Sequence, residues 1–183
     1  MNNIFERTKK WIKVYSNADH LIRTAYWVKK LDPKTSDALV LAALTHDIER
    51  VFKEDRNPPT PEFGGAKWDD PIYSQWHSER SAKFTEEFLK KEGESEELIK
   101  KTTDLIKLHE LGGNPEADLL KDADSLSFLE VNVALFISMV PDKLSKDEIL
   151  EKLNFMFNRI TDEKAKIIAK QLYDKAILKL NKV

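Results

Sequence analysis

The stretch Ala42-Ala43-Leu44-Thr45-His46-Asp47-Ile48 decides how this chain folds. It closes a nearly unbroken apolar run, from Ala38 to Leu44, with two adjacent ionisable side chains. The run contains no Gly or Pro and is apolar on every face, which predicts a buried helix. A carboxylate beside an imidazole at the end of such a helix is costly to bury without a compensating partner. A divalent cation suits both groups, because imidazole nitrogen and carboxylate oxygen are ordinary ligands of zinc, iron and manganese. A hydrogen-bonded His-Asp pair is the plainer alternative for the dipeptide alone.

Composition limits what can surround that helix. The 183 residues suffice for one domain with a substantial core. Hydrophobic residues at 41% and charged residues at 34% suit a protein rich in amphipathic helix. Because 30 basic and 32 acidic residues are interspersed, no dedicated nucleic-acid surface is expected. There is no cysteine, so any metal must be bound by His, Asp and Glu. Charges run through the stretch from Met1 to Lys13 and no apolar run reaches membrane-spanning length, so the expectation is a cytoplasmic protein with no membrane partner.

On the N-terminal side, Ile4, Phe5, Trp11, Ile12 and Tyr15 recur at helical spacing and predict a first helix. A second, capped within Ser16-Asn17-Ala18-Asp19, runs to about Leu31 and carries His20 in its first turn. Thr35-Ser36-Asp37 caps the third, which holds His46 and Asp47 near its end and continues to about Phe52. Pro58, Pro59, Pro61, Gly64 and Gly65 then make residues 53–70 a long loop, a candidate lid over a site.

On the C-terminal side a fourth helix spans Pro71 to Lys91, with Tyr73, His77, Ser81, Phe84 and Phe88 in one stripe. A fifth begins at Ser95, aligns Leu98, Thr102, Leu105 and His109, and stops at Gly112-Gly113. The sixth runs from near Pro115 to about Val140 with Leu120, Asp124, Phe128, Val131 and Leu135 aligned. After Pro141, Ser145 and Glu148 form a capping box for a seventh helix, and Thr161-Asp162 starts an eighth. These last two, over residues 145–181, read as packing elements. With no strand-like alternation and no repeat, the prediction is a single all-α domain of about eight helices.

The four histidines, His20, His46, His77 and His109, fall on four different predicted helices, each in or at the end of an apolar stripe. One inward histidine is more often a satisfied core residue than a ligand. Four of them, with Asp47 and Asp124 placed by the same rule, are more simply explained by convergence on one centre. Asp122-Ala123-Asp124 offers two carboxylates, of which the stripe selects Asp124.

The order of these residues resembles the HD-domain superfamily of metal-dependent phosphohydrolases. The matching segments are His20-Leu21-Ile22-Arg23, Leu44-Thr45-His46-Asp47-Ile48 and Ala123-Asp124-Ser125-Leu126. The resemblance implies a helical HD-type core in which His20, His46, Asp47 and Asp124 bind one metal. His77 in His77-Ser78-Glu79-Arg80 and His109 in His109-Glu110 resemble the extra histidines of two-metal members, where the Asp of the pair bridges both ions. The longer signature of the cyclic-dinucleotide branch is missing after His109-Glu110, which points away from that substrate.

The expected cofactor is therefore one or two divalent ions (Fe, Mn, Zn, Ni, Co or Mg). The expected activity is hydrolysis of a nucleotide or other small phosphoester by a metal-activated water, with Asp47 central and Arg23, Arg50 and Lys53 as candidates to bind phosphate. Trp68, Tyr73 and Trp76 flank the loop and are candidates to stack on a base or sugar, or to pack. Glu49 is expected in a surface salt bridge rather than as an orienter of the site. Two alternatives share the site: an HD-type di-iron oxygenase, and a non-enzymatic metal- or nucleotide-binding regulatory domain. Monomer and homodimer both remain open.

Overall fold

The computed structural model describes residues 3–54, 56–61 and 68–183. At its centre lies α3 (Asp37–Thr45), in which every residue from Ala38 to Thr45 is buried. A helix apolar on all sides must be surrounded, and α3 is: α1 (Ile4–Ile12), α2 (Ala18–Leu31), α5 (Glu96–Leu108) and α6 (Pro115–Ser127) all pack against it. The long α4 (Pro71–Lys91) forms a hairpin with α5. Beyond α6 come α7 (Val133–Ile137), α8 (Lys146–Asn158) and α9 (Glu163–Leu180), with α8 and α9 packed on each other and on α6. The buried alanines of α9, Ala165, Ala169 and Ala176, leave little side chain between it and its neighbours.

Most helix starts follow the cap residues visible in the sequence. Ser36, Ser95, Asn114 and Asp162 each accept a hydrogen bond from a backbone N–H in the first turn, and Ser145 with Glu148 completes a capping box. Among the described residues there is no strand. The candidate lid at residues 53–70 includes 55 and 62–67, which lie outside the described residues.

Two predicted helices are interrupted, and both interruptions matter to the site. The third does not continue to Phe52. It ends at Thr45, and after Asp47 the chain tightens into a 3₁₀ turn, Ile48–Val51. The Asp47 carbonyl accepts from Asn17 Nδ2 at 3.0 Å and from the Arg50 N–H at 3.3 Å. Consecutive side chains diverge by about 100° in a regular helix, so a break here lets His46 and Asp47 turn toward one cluster of side chains.

The sixth predicted helix carries a π turn, Phe128–Asn132, between α6 and α7. One extra residue per turn shifts the register. Leu129, Val133 and Ile137 therefore enter the core, while Leu135, expected to face inward, is 59% exposed.

Candidate metal centre

Six side chains from five segments meet at the end of α3. His20 comes from the first turn of α2, His46 and Asp47 from the end of α3, His77 from the middle of α4, His109 from the C-cap of α5 and Asp124 from α6. They form two groups placed to hold a metal ion: His20, His46 and Asp124, and Asp47, His77 and His109, with the ligand atoms of each within 4.8 Å of one another. Asp124 Oδ1 lies 3.1 Å from His20 Nε2 and 3.4 Å from His46 Nε2. Asp47 stands between the groups. Its Oδ1 is 2.6 Å from His77 Nε2 and 3.9 Å from His109 Nε2, while Oδ2 is 3.9 Å from His20 Nε2.

All four imidazoles are anchored through Nδ1. His46 Nδ1 donates to the Ala43 carbonyl (3.0 Å), His109 Nδ1 to the Ile106 carbonyl (2.7 Å) and His77 Nδ1 to Glu49 Oε1 (2.8 Å). His20 Nδ1 donates to Ser127 Oγ (2.9 Å), whose own hydroxyl is committed to the His20 carbonyl (2.8 Å). Each partner oxygen is an acceptor, so the proton of the neutral ring belongs on Nδ1 and the lone pair of Nε2 points inward. The buried Nε2 atoms of His46 and His109 make no hydrogen bond. Buried polar atoms are normally satisfied, and two orphaned imidazole nitrogens beside two carboxylates fit a metal-binding donor set.

Charge is balanced by a ring of arginines. Burial opposes ionisation of Asp47, but Arg50, His77 and His46 outweigh it and hold the carboxyl well below its usual range. The same contest, won by Arg159 together with neighbouring histidines, depresses Asp124 and Glu110. Arg159 donates to Asp124 Oδ2 and to Glu110 Oε2, both at 2.5 Å, and to Ser125 Oγ at 2.9 Å. Burial and Arg50 push His77 down, yet Asp47 and Glu49 prevail and raise it to about 9.

Several expectations change in position or role. Glu49 is not in a surface salt bridge. The 3₁₀ turn directs it inward, where it is wholly buried and holds His77 Nδ1 (2.8 Å) and the Arg56 guanidinium (3.1 and 3.2 Å). Arg23 points away from the histidines and clamps Glu130 through Nε and Nη2 at 2.5 and 2.6 Å. Arg50 is at the site, on Asp47 Oδ2 (2.8 Å) and the Tyr73 hydroxyl (3.2 Å). Lys53 is exposed. Asp122 is buried but caps the start of α9 through the N–H groups of Thr161 and Asp162, so of the two carboxylates only Asp124 faces the histidines.

Tyr73 stacks on His77, with centroids 5.9 Å apart. Trp76 lies beneath Arg56 and Arg80. Lys152 of α8 and Arg159 at its C-cap are site neighbours that the sequence does not announce. Their only sequence signal is a charge three residues after a buried apolar position, Ile149 for Lys152 and Met156 for Arg159.

No curated protein matches the chain. A crystal structure of a predicted HD superfamily hydrolase from an uncultured Thermotogales bacterium superposes with a TM-score of 0.59 at 16% identity, covering 98% of this chain and 88% of that one. At that identity the likeness establishes the fold, and the fold is the HD-type helical one that the motif order implied. A family model described as a domain of unknown function, DUF4202, matches residues 6–180, nearly the whole chain including α8 and α9. The chain is a member of the DUF4202 family, built on an HD-type helical fold.

Proposed function

We propose that this protein is a metal-dependent phosphohydrolase that cleaves a nucleotide or another small phosphoester. One observation carries the reading: four imidazoles anchored at Nδ1 turn Nε2 toward Asp47 and Asp124, and two of those nitrogens are buried without a hydrogen bond. In this reading His20, His46 and Asp124 hold one ion, His77 and His109 hold a second, and Asp47 is shared. Ions held there supply a water of lowered pKa and a Lewis acid for the phosphoryl oxygen.

The chain's own residues fix the orientation of that chemistry. Arg50 holds the Asp47 carboxylate from one side, Arg159 holds Asp124, and Glu49 holds His77. Each carboxylate thereby stays ionised and aimed, which is the condition for binding a cation without reorganisation.

The test is elemental analysis of protein purified without chelator or metal-binding tag, alongside the His77→Ala variant, followed by assay of a phosphoester panel. The expected result is about two ions per chain, falling to about one in the variant, with phosphate released under anaerobic conditions. Protein that takes up no metal even after reconstitution would sink the proposal. So would a loaded protein that consumes oxygen and releases no phosphate.

A further inference from the structure

At the edge of the centre, α8 presents a cation that no carboxylate of the described residues neutralises. Lys152 is half-buried, and its ammonium lies 5.0, 5.3 and 5.1 Å from the ring centroids of Trp68, Phe128 and Phe155. No carboxylate of the described residues pairs with it. The carboxylates on that side of the centre are occupied: Glu110 and Asp124 are both held by Arg159. The Phe155 ring it lies against also packs on Arg159, the residue that holds Asp124, which places Lys152 at the edge of the candidate metal centre.

Lys152, Phe155 and Arg159 fall at i, i+3 and i+7, on one face of α8. The Phe155 ring lies 5.1 Å from the Lys152 ammonium and 5.4 Å from the Arg159 guanidinium carbon, so the two cations share a ring. They differ in what they hold. Arg159 is spent on Asp124, Glu110 and Ser125. Among the described residues Lys152 has only aromatic faces, which attract an ammonium and shield it partly from water but do not neutralise it. A partly desolvated cation without a counter-charge favours an incoming anion, and its bond to that anion is stronger than in water.

We propose that Lys152 is the anion-recognition residue of this centre, its ammonium binding the phosphoryl group of the substrate. The assignment rests on the phosphohydrolase reading and deepens it. It also gives a role in substrate binding to a helix outside the segments that carry the HD resemblance. Burial foremost pushes the Lys152 pKa down to about 8, so the group remains mostly charged at neutral pH.

The experiment is calorimetric titration of the metal-loaded, full-length protein with inorganic phosphate, for wild type, Lys152→Met and Lys152→Arg, with metal content measured on each sample. The methionine fills the aromatic enclosure without a charge, and the arginine restores one. Loss of a charge-assisted hydrogen bond predicts phosphate affinity about 10- to 100-fold weaker in Lys152→Met. Metal content is expected to stay the same, and Lys152→Arg to recover most of the affinity. Equal phosphate affinity in wild type and Lys152→Met at equal metal content overturns the role of Lys152 and leaves the phosphohydrolase reading standing. Loss of metal together with phosphate binding in Lys152→Met overturns it too, since the residue would then act through the integrity of the centre. Wild-type protein that takes up no metal brings down both.

Discussion

Glu49 is the residue whose surroundings contradict its sequence neighbourhood most. Followed by Arg50 and Lys53 in what reads as an exposed helical turn, it carries no apolar signal of burial, yet it has no solvent exposure. Burial alone would raise its pKa, but the His77 hydrogen bond and the nearby arginines outweigh that and lower it. An ionised Glu49 fixes the His77 ring and makes Nε2 a better donor to a cation, as the outer carboxylate does in carboxylate–histidine–metal arrangements. Glu49→Gln keeps the shape and an acceptor for His77 Nδ1 while removing the charge. Metal affinity at the group of Asp47, His77 and His109 is then expected to fall about 10- to 100-fold, with the group of His20, His46 and Asp124 unaffected. Dialysis against graded chelator with elemental analysis would detect this as loss of one ion well before the other. Metal release at the same chelator concentrations in Glu49→Gln and wild type would remove Glu49 from the account.

Among the elements, those marked by Pro, Gly or a capping side chain were legible, and those ended by tertiary contacts were not. Pro71 and Asp70 fix the start of α4, and Gly93 follows its end. Nothing in the local sequence marks the end of α3 or the π turn after α6, because Asn17 and Arg23 supply the partners from elsewhere in the chain. The π turn carries Glu130 to Arg23 and to Trp27 Nε1 (2.9 Å), immediately after Ser127 has bonded to His20. Arg23 therefore joins α2 to this turn, although its spacing from His20 made it a candidate for phosphate. The pair is about one-third exposed (32% and 30%), so its contribution is modest. Arg23→Ala is expected to cost about 1 kcal/mol or less of stability, with metal content and KM for the phosphoester unchanged. Thermal melts and steady-state kinetics check this; a hundredfold loss of kcat with an unaltered Tm would return Arg23 to the chemistry.

Across the whole molecule, the six convergent side chains were legible because buried ionisable residues on apolar stripes leave few alternatives, whereas the contribution of α8 was not. Its charges follow the spacing of an ordinary amphipathic helix, and only the packing of α8 on α6 brings Arg159 to Asp124. The centre thus ties both halves of the chain together, and in metal-free protein protons must do part of that work. His77 is raised to about 9 by Asp47 and Glu49 against burial, and His46 is raised in the same direction by Asp47 and Asp124. A histidine whose folded pKa exceeds its unfolded value of about 6.5 stabilises the fold fully below about pH 6.5, and that contribution is lost as pH rises through about 9. The carboxylates, all lowered, remain ionised across this window and add no slope. Chelated protein should therefore lose Tm between about pH 6.5 and about pH 8, with Lys152, lowered to about 8, shedding its proton and offsetting part of the loss above that. Metal-loaded protein should lose much less, because cation binding replaces the proton and strengthens as the proton leaves. The separation between the two melting curves is expected to widen with pH. A separation that stays constant or narrows would mean that His77 carries no proton in the metal-free fold and that the Asp47–His77 contact is not the ion pair its geometry describes.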